Sequence, residues 1–438
     1  MLIFAILVFV AFLYCLFKER NIYNPGTVFF GIWSLVLLLF AINPYSLPEV
    51  GNVTILATCI GVSFFGFGIL ISYLRKKKKR NVLTRTECVV TNNFVDPTIV
   101  LLLQFIAIII YLFLAVPGIK VILSGGSFAY IRYYVRVSTL GSGINALLFT
   151  YIATPILYFS LFYSMSIFST TKIKRKERIS LVLTLLMIFF ELLTVGGRMS
   201  MIVALSSLLV ATCIYVSRTR SKSRRKKIFT LLFFAFIAVA IIFTNMVISR
   251  GNDDPIKSFS IYLYGSIHFL DVVIEKFNSG GYQYCFGFLS LQGFTSPVIS
   301  VLGLSNLVFF KNVDSIYTVI DEYVYFNGEI LFNSEISFFG YFYLDGGIPV
   351  VALLSLVFGY FSEKYYLRIK YKSKITTSDI SIYMLLLGSI VMSFIQFSFT
   401  AVGYALALVL ILVLTKKKAY KYRRLDEHEN LCCYTENN

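Results

Sequence analysis

The stretch ISLVLTLLMIFFELLTVGGRMSMIVALSSLLVATCIYV, residues 179–216, reads as two membrane-crossing helices joined by the tight turn TVGGRMS at 194–200. Each arm approaches the run of about 20 apolar residues that a helix needs to cross a bilayer. Only helices and closed barrels satisfy their own backbone groups in hydrocarbon. Similar runs recur along the whole 438 residues, of which 58% are hydrophobic and 14% charged. The short alternating segments of a barrel are absent, so the chain reads as an all-α integral membrane protein. Its first run, 1–17, ends at Lys18-Glu19-Arg20 without a small-residue cleavage site, and reads as a retained helix.

Outward from that hairpin, eleven apolar segments are expected, at 1–17, 26–43, 52–74, 97–116, 144–168, 179–195, 199–217, 228–249, 336–361, 379–398 and 400–415. The connections RKKKKR (75–80), KIKRKER (172–178), SRTRSKSRRKK (217–227), EKYYLRIKYKSK (363–374) and the tail from KKK (416–418) then share one side, which takes 32 of the 40 lysines and arginines. Basic loops favour the cytoplasm, which predicts the N-terminus outside and the C-terminus cytoplasmic. The expected organisation is a membrane bundle over 1–249, a large extracytoplasmic loop over 250–335, further helices over 336–415 and a basic tail over 416–438. The net charge of +18 is accounted for by orientation, and nucleic acid is not an expected partner.

Two connections on the other side are long: Pro117 to Gly143, and Arg250 to Glu335 with 86 residues. Loops of that length have work to do. Within the second, PVISVLGLSNLVFF (297–310) is apolar but too short to span, which suits a re-entrant or interfacial helix. Ile256, Phe259, Leu263, Ile267, Leu270, Ile274 and Phe277 follow the spacing of an amphipathic helix, with Tyr264, His268, Asp271 and Glu275 on a neighbouring stripe. No internal repeat relates the two halves, unlike inverted-repeat transporters.

Chemistry rests on few residues. The eight bases of the expected outer side are Lys120, Arg132, Arg136, Arg198, Arg250, Lys257, Lys276 and Lys311. Arg198 follows Gly196-Gly197 and precedes a helix whose amides favour negative charge. Arg250 stands in the SRGNDDP turn, and Arg132 and Arg136 lie four apart in SGGSFAYIRYYVR among Tyr130, Tyr133 and Tyr134. One arginine at a helix end often only snorkels to headgroups, but four together on the disfavoured side point to an anion site. The large loop carries nine acids against four bases, so particular arginines, not a bulk field, must hold any anion. His268 reads as a general base whose tautomer Asp271 fixes, or as an ordinary exposed histidine. Asp253-Asp254 offers oxygen ligands for a divalent cation, as weak a signal as two adjacent acids can give. Glu191, inside the sixth segment and about two turns from Arg198, reads as an internal partner for it or as a proton carrier.

Seven cysteines without CxxC spacing and two histidines support neither a disulfide framework nor a zinc or haem centre. Walker A, GxSxG and HExxH motifs are absent, against NTP hydrolysis, α/β-hydrolase chemistry and zinc proteolysis.

NPGTVFFGIWSLVLLLF (24–40), FAYIRYYVR (128–136), LLTVGGRMSMI (192–202), the SRG turn (249–251) and YFYLDGGIPVVALLSLVFGYF (341–361) together resemble the Wzy-type O-antigen and capsule polymerases. That resemblance implies a metal-independent, GT-C-like glycosyltransferase in the cytoplasmic membrane of a bacterium. It implies no cofactor, and as partners a lipid-linked oligosaccharide, membrane lipids, a chain-length regulator and a flippase. The growing glycan on undecaprenyl pyrophosphate would be the donor and a sugar hydroxyl of a new repeat unit the acceptor. Arg198 and Arg250 would stabilise the leaving pyrophosphate, Arg132 and Arg136 with Tyr133 would hold the second carrier, and His268 or Asp253 would activate the hydroxyl. The O-antigen ligases share this architecture and differ in acceptor. A lipid-linked oligosaccharide flippase, the reading from another class, would line helix interiors with charge. A membrane scaffold of the export complex would tolerate loss of the arginines.

Overall fold

A computed structural model describes residues 1–19, 21–77, 89–94, 96–127, 130–141, 143–169, 173–196, 199–218, 230, 237, 254–326, 330–332, 336–371 and 374–415. Eight of its helices are long and apolar enough to cross a membrane: α1 (Leu2–Glu19), α2 (Pro25–Ile42), α3 (Asn52–Lys77), α4 (Pro97–Leu123), α6 (Gly143–Phe168), α7 (Arg175–Val195), α8 (Met199–Arg218) and α12 (Ser337–Tyr371). Exposed isoleucines, leucines, valines and phenylalanines run along α1, α4 and α7. Apolar surface on that scale suits lipid and not water. The protein is a multi-pass, helical membrane protein. The expected segment at 228–249 and the basic tail lie outside the described residues.

Three helices begin by one device. Asn24, Asp96 and Asp254 each precede a proline, and each side chain accepts from a first-turn N–H. The capping oxygen satisfies an orphan donor, and proline at the first helical position has no N–H to waste. Asp254, suspected as a cation ligand, is therefore a helix cap, bonded to the N–H groups of Ile256 and Lys257.

The helices alternate between two ends. At one end Glu19 pairs with Lys370 and accepts from Tyr366, Asn24 reaches Glu363, and Asn93 reaches Ser378. There the short strands Val89–Thr91 and Lys374–Thr376 pair in parallel, and Asn92 donates to Glu177. The described parts of the connections flanking residues 75–96, 173–178 and 363–377 thus converge on one end, while the basic connection after Arg218 and the tail lie outside the described residues. At the opposite, loop end gather the 43–51 connection, the α7–α8 turn and the large connection.

Tight approach fixes the packing. A Cβ on Gly68 would sit 2.1 Å from the Leu356 carbonyl oxygen, and one on Gly359 would sit 2.2 Å from that of Phe65. The backbones of α3 and α12 therefore touch, as small residues permit between helices in lipid. Gly118 does the same for α4 against Leu193 of α7, at 1.8 Å. Between α4, α6 and α7, Gln104 donates to Thr184 and to the Ser180 carbonyl, and Ser164 bonds both side chains, a buried polar bond set of the kind that joins helices in lipid.

Several expectations change. The fourth segment does not stop at Pro117: α4 continues through it to Leu123, where the helix forfeits one hydrogen bond instead of ending. A short segment follows, a π-helical turn over Ile131–Val135 and α5 (Arg136–Leu140). The apolar stretch 297–310 is not one helix. It divides into α10 (Gln292–Val301) and α11 (Val308–Asp321), because Gly303 takes a left-handed conformation between them. The last two segments shorten to α13 (Thr377–Val391) and α14 (Val402–Val413), of 15 and 12 residues. Between them, residues 392–401 form a largely buried connection, helical only in a 3-10 turn over Ser398–Thr400, whose Ile395 and Ser393 carbonyls accept from Ser337 and Phe338. Finally α12 breaks at Gly346-Gly347, where Gly347 has φ +67, a conformation glycine adopts without cost.

Candidate functional site

The turn TVGGRMS closes α7 on Gly196, left-handed at φ 62, whose N–H bonds the Leu192 carbonyl. Gly197 and Arg198 lie outside the described residues, and α8 resumes at Met199. On either side of them Glu191 and Ser200 meet: the Ser200 hydroxyl donates to Glu191 Oε2 at 2.6 Å. Glu191 is only 7% exposed. An acid buried in a spanning helix is costly and needs a partner.

The arginine-bearing segment packs on this helix end. The π turn over Ile131–Val135 touches α4 and α7, and Arg136 follows it. Arg136 is accessible to solvent yet flanked by protein. Lost solvation, followed by repulsion from Arg132, holds its pKa below the ordinary arginine value, while Asp321, Glu191 and Tyr323 oppose that fall. Arg136 thus lies within electrostatic range of two other predicted residues, Arg132 and Glu191, and of Asp321 at the end of α11. The side chain of Tyr133 is outside the described residues, as are Arg250 and Asp253.

His268 and Asp271 belong elsewhere. They lie on α9 (Pro255–Ser279), which packs on α2, α3, α11 and α12. The prediction that Asp271 orients His268 fails. Asp271 accepts from Thr54 Oγ1 at 2.6 Å and from the Gly51 N–H at 3.1 Å, capping the start of α3. His268 is not an exposed histidine either: it is 3% exposed among Phe40, Tyr264 and Phe326, with Nδ1 2.8 Å from the Pro48 carbonyl. A carbonyl only accepts, so Nδ1 carries the proton and Nε2 is the bare nitrogen. Among the described residues Nε2 has no hydrogen-bond partner. Burial, opposed by the Pro48 bond and by Asp271, lowers the His268 pKa to about 4. Tyr264, assigned with it to a polar stripe, is also fully buried, whereas Ile256 and Phe259 of the apolar stripe are exposed.

One buried acid escaped the sequence reading. Asp345 ends the first part of α12, is 0% exposed, and accepts from the N–H groups of Leu289 at 3.0 Å and Ser290 at 2.9 Å. It ties the 285–291 connection to the Gly346-Gly347 break. Its signal was present in YFYLDGGIPVV, an acid in an apolar run directly before paired glycines.

Among the described residues no group of three histidines, cysteines or acids is gathered to hold a metal ion. The chain matches no family model, no curated protein and no solved structure.

Proposed function

We propose that the protein polymerises lipid-pyrophosphate-linked oligosaccharide repeat units, as a GT-C-like glycosyltransferase of the Wzy type, with its basic end cytoplasmic and its loop end outside. The observation that supports this reading is the packing of the turn that carries Arg132 and leads into Arg136 on α7, whose buried Glu191 flanks the turn with Arg198. Two guanidiniums that repel one another in a protein-flanked, solvent-accessible position are stabilised by an anion, and a pyrophosphate fits them through charge-assisted bonds.

In the proposed reaction the acceptor hydroxyl bonds to the anomeric carbon of the growing chain. The bond from that carbon to the pyrophosphate oxygen breaks, its electron pair leaves with the pyrophosphate, and the hydroxyl proton passes to a base. Arginines placed where charge develops lower that barrier without a metal.

Burial of Glu191 inside a spanning helix favours a second reading, a transporter of the same lipid-linked oligosaccharide, since acids in that position mark translocation paths. One experiment separates the two. Purified protein in detergent is given lipid-pyrophosphate-linked repeat unit with EDTA present, and glycan length is resolved for wild type and Arg198→Ala. A ladder from wild type alone supports the polymerase. Absence of a ladder from well-folded wild type, together with substrate movement in liposomes, supports the transporter.

A further inference from the structure

The connection between α10 and α11 is the most apolar exposed surface outside the spanning helices. From Gln292 to Phe310 the chain has no charged residue. Val301 and Val308, on either side of Gly303, are 86% and 85% exposed, and Val298, Leu302 and Leu307 beside them are also exposed. In water this patch would be a liability.

Its level in the bundle follows from α14. That helix has 12 residues, so it rises about 18 Å from its basic end, where Thr415 bridges Phe94 next to the start of α4. A hydrocarbon core is about 30 Å thick, so Ala401, at the other end of α14, lies roughly 10 Å inside the loop-end surface, and any tilt takes it deeper. The start of α10 sits at that same level. A Cβ on Gly293 would lie 2.5 Å from the Phe399 carbonyl oxygen and 2.7 Å from that of Ala401, and the Phe294 ring stacks on Phe399. From Gly293 to Val301 α10 rises only about 12 Å, comparable to that depth, so Val298 and Val301 do not clear the leaflet.

We infer that the α10–α11 hairpin is seated in the loop-end leaflet of the bilayer, with Val298, Val301, Leu302, Leu307 and Val308 against acyl chains. Several of the turn's N–H groups are satisfied internally, as hydrocarbon demands. Leu302 N–H bonds Val298, Gly303 N–H bonds Ser300, Leu307 N–H bonds Leu304 and Lys311 N–H bonds Leu307. Charge returns at exposed Lys311, one residue past the apolar stretch, where an ammonium reaches phosphate headgroups.

The test uses the protein's single tryptophan, Trp33, which is fully buried and supplies a constant background. Val301→Trp, Val308→Trp and Leu302→Trp are placed in nanodiscs of phosphatidylcholine, with or without brominated acyl chains. Thr318→Trp, exposed farther along α11, is the control. The hairpin tryptophans should emit at shorter wavelength than the control, lose intensity in brominated lipid and resist acrylamide, whereas the control responds to acrylamide alone. Acrylamide quenching of the hairpin equal to the control's would overturn the inference. Shielding from both quenchers would overturn it too, and would assign the patch to a protein partner.

Discussion

The Ser200 hydroxyl reaches the Glu191 carboxylate at 2.6 Å across the α7–α8 turn, tying together the two helix ends that flank Arg198. Hydrogen bonds between helices in lipid are worth about 0.6 to 1.7 kcal/mol. Ser200→Ala should lower stability by that amount, measured by reversible unfolding in mixed micelles. An unchanged unfolding curve would mean that the bond does not hold the turn. In the proposed polymerase, Glu191→Ala should also shorten or abolish the glycan ladder.

Arg136 lies under the influence of Arg132, Asp321 and Glu191 together. If it stabilises charge that develops in the transition state, Arg136→Ala should lower polymerisation roughly 10²- to 10³-fold with the protein still folded. Lysine offers no bidentate fork, so Arg136→Lys should recover little of the loss. Single-turnover kinetics on the lipid-linked repeat unit provide the check. A loss below about tenfold in the alanine variant would remove Arg136 from that role.

His268 should make stability depend on pH. Its folded pKa of about 4 lies below the ordinary value of 6.5, so between those limits the unfolded chain binds the proton more readily. The contribution is complete above about pH 6.5 and is lost as pH falls towards about 4. Melting temperature followed across that window should fall with pH in wild type and change less in His268→Phe. Parallel profiles would show that His268 is solvated.

Asp345 should be structural. Truncation to alanine leaves the Leu289 and Ser290 N–H groups without acceptors, at a cost of about 1–3 kcal/mol each, whereas asparagine keeps one carbonyl oxygen. Asp345→Ala should therefore melt well below Asp345→Asn, and both below wild type. Equal melting temperatures for the two variants would contradict this assignment.

The spanning helices were legible because the solvent they face is uniform: apolar runs as long as α4 or α7 fit hydrocarbon and little else. Less visible were the departures from regular helix. Pro117 ends a helix by local preference, yet tertiary packing of Gly118 on α7 carries α4 past it. Residues 392–401 look like part of a spanning run, but their backbone is satisfied by Ser337 and Phe338, contacts some 55 residues away that periodicity does not encode. At the site, the sequence paired Glu191 with Arg198, and the nearness of Arg136 to Glu191 was not legible because it depends on the 131–135 turn folding back onto α7. The partners of His268 and Asp271 were not legible either, because both are bonded to the distant 48–54 stretch.

The parallel pairing of Val89–Thr91 with Lys374–Thr376 sets an order of manufacture. Ribosomes deliver the first three helices, with Glu19, Asn24 and Trp33, long before Lys370, Glu363 and Ser393 are translated to meet them. Newly inserted N-terminal helices thus wait in the bilayer with polar groups still seeking their mates, a state on which insertion chaperones and quality-control proteases act. A nascent chain released before residue 374 cannot close that end of the bundle.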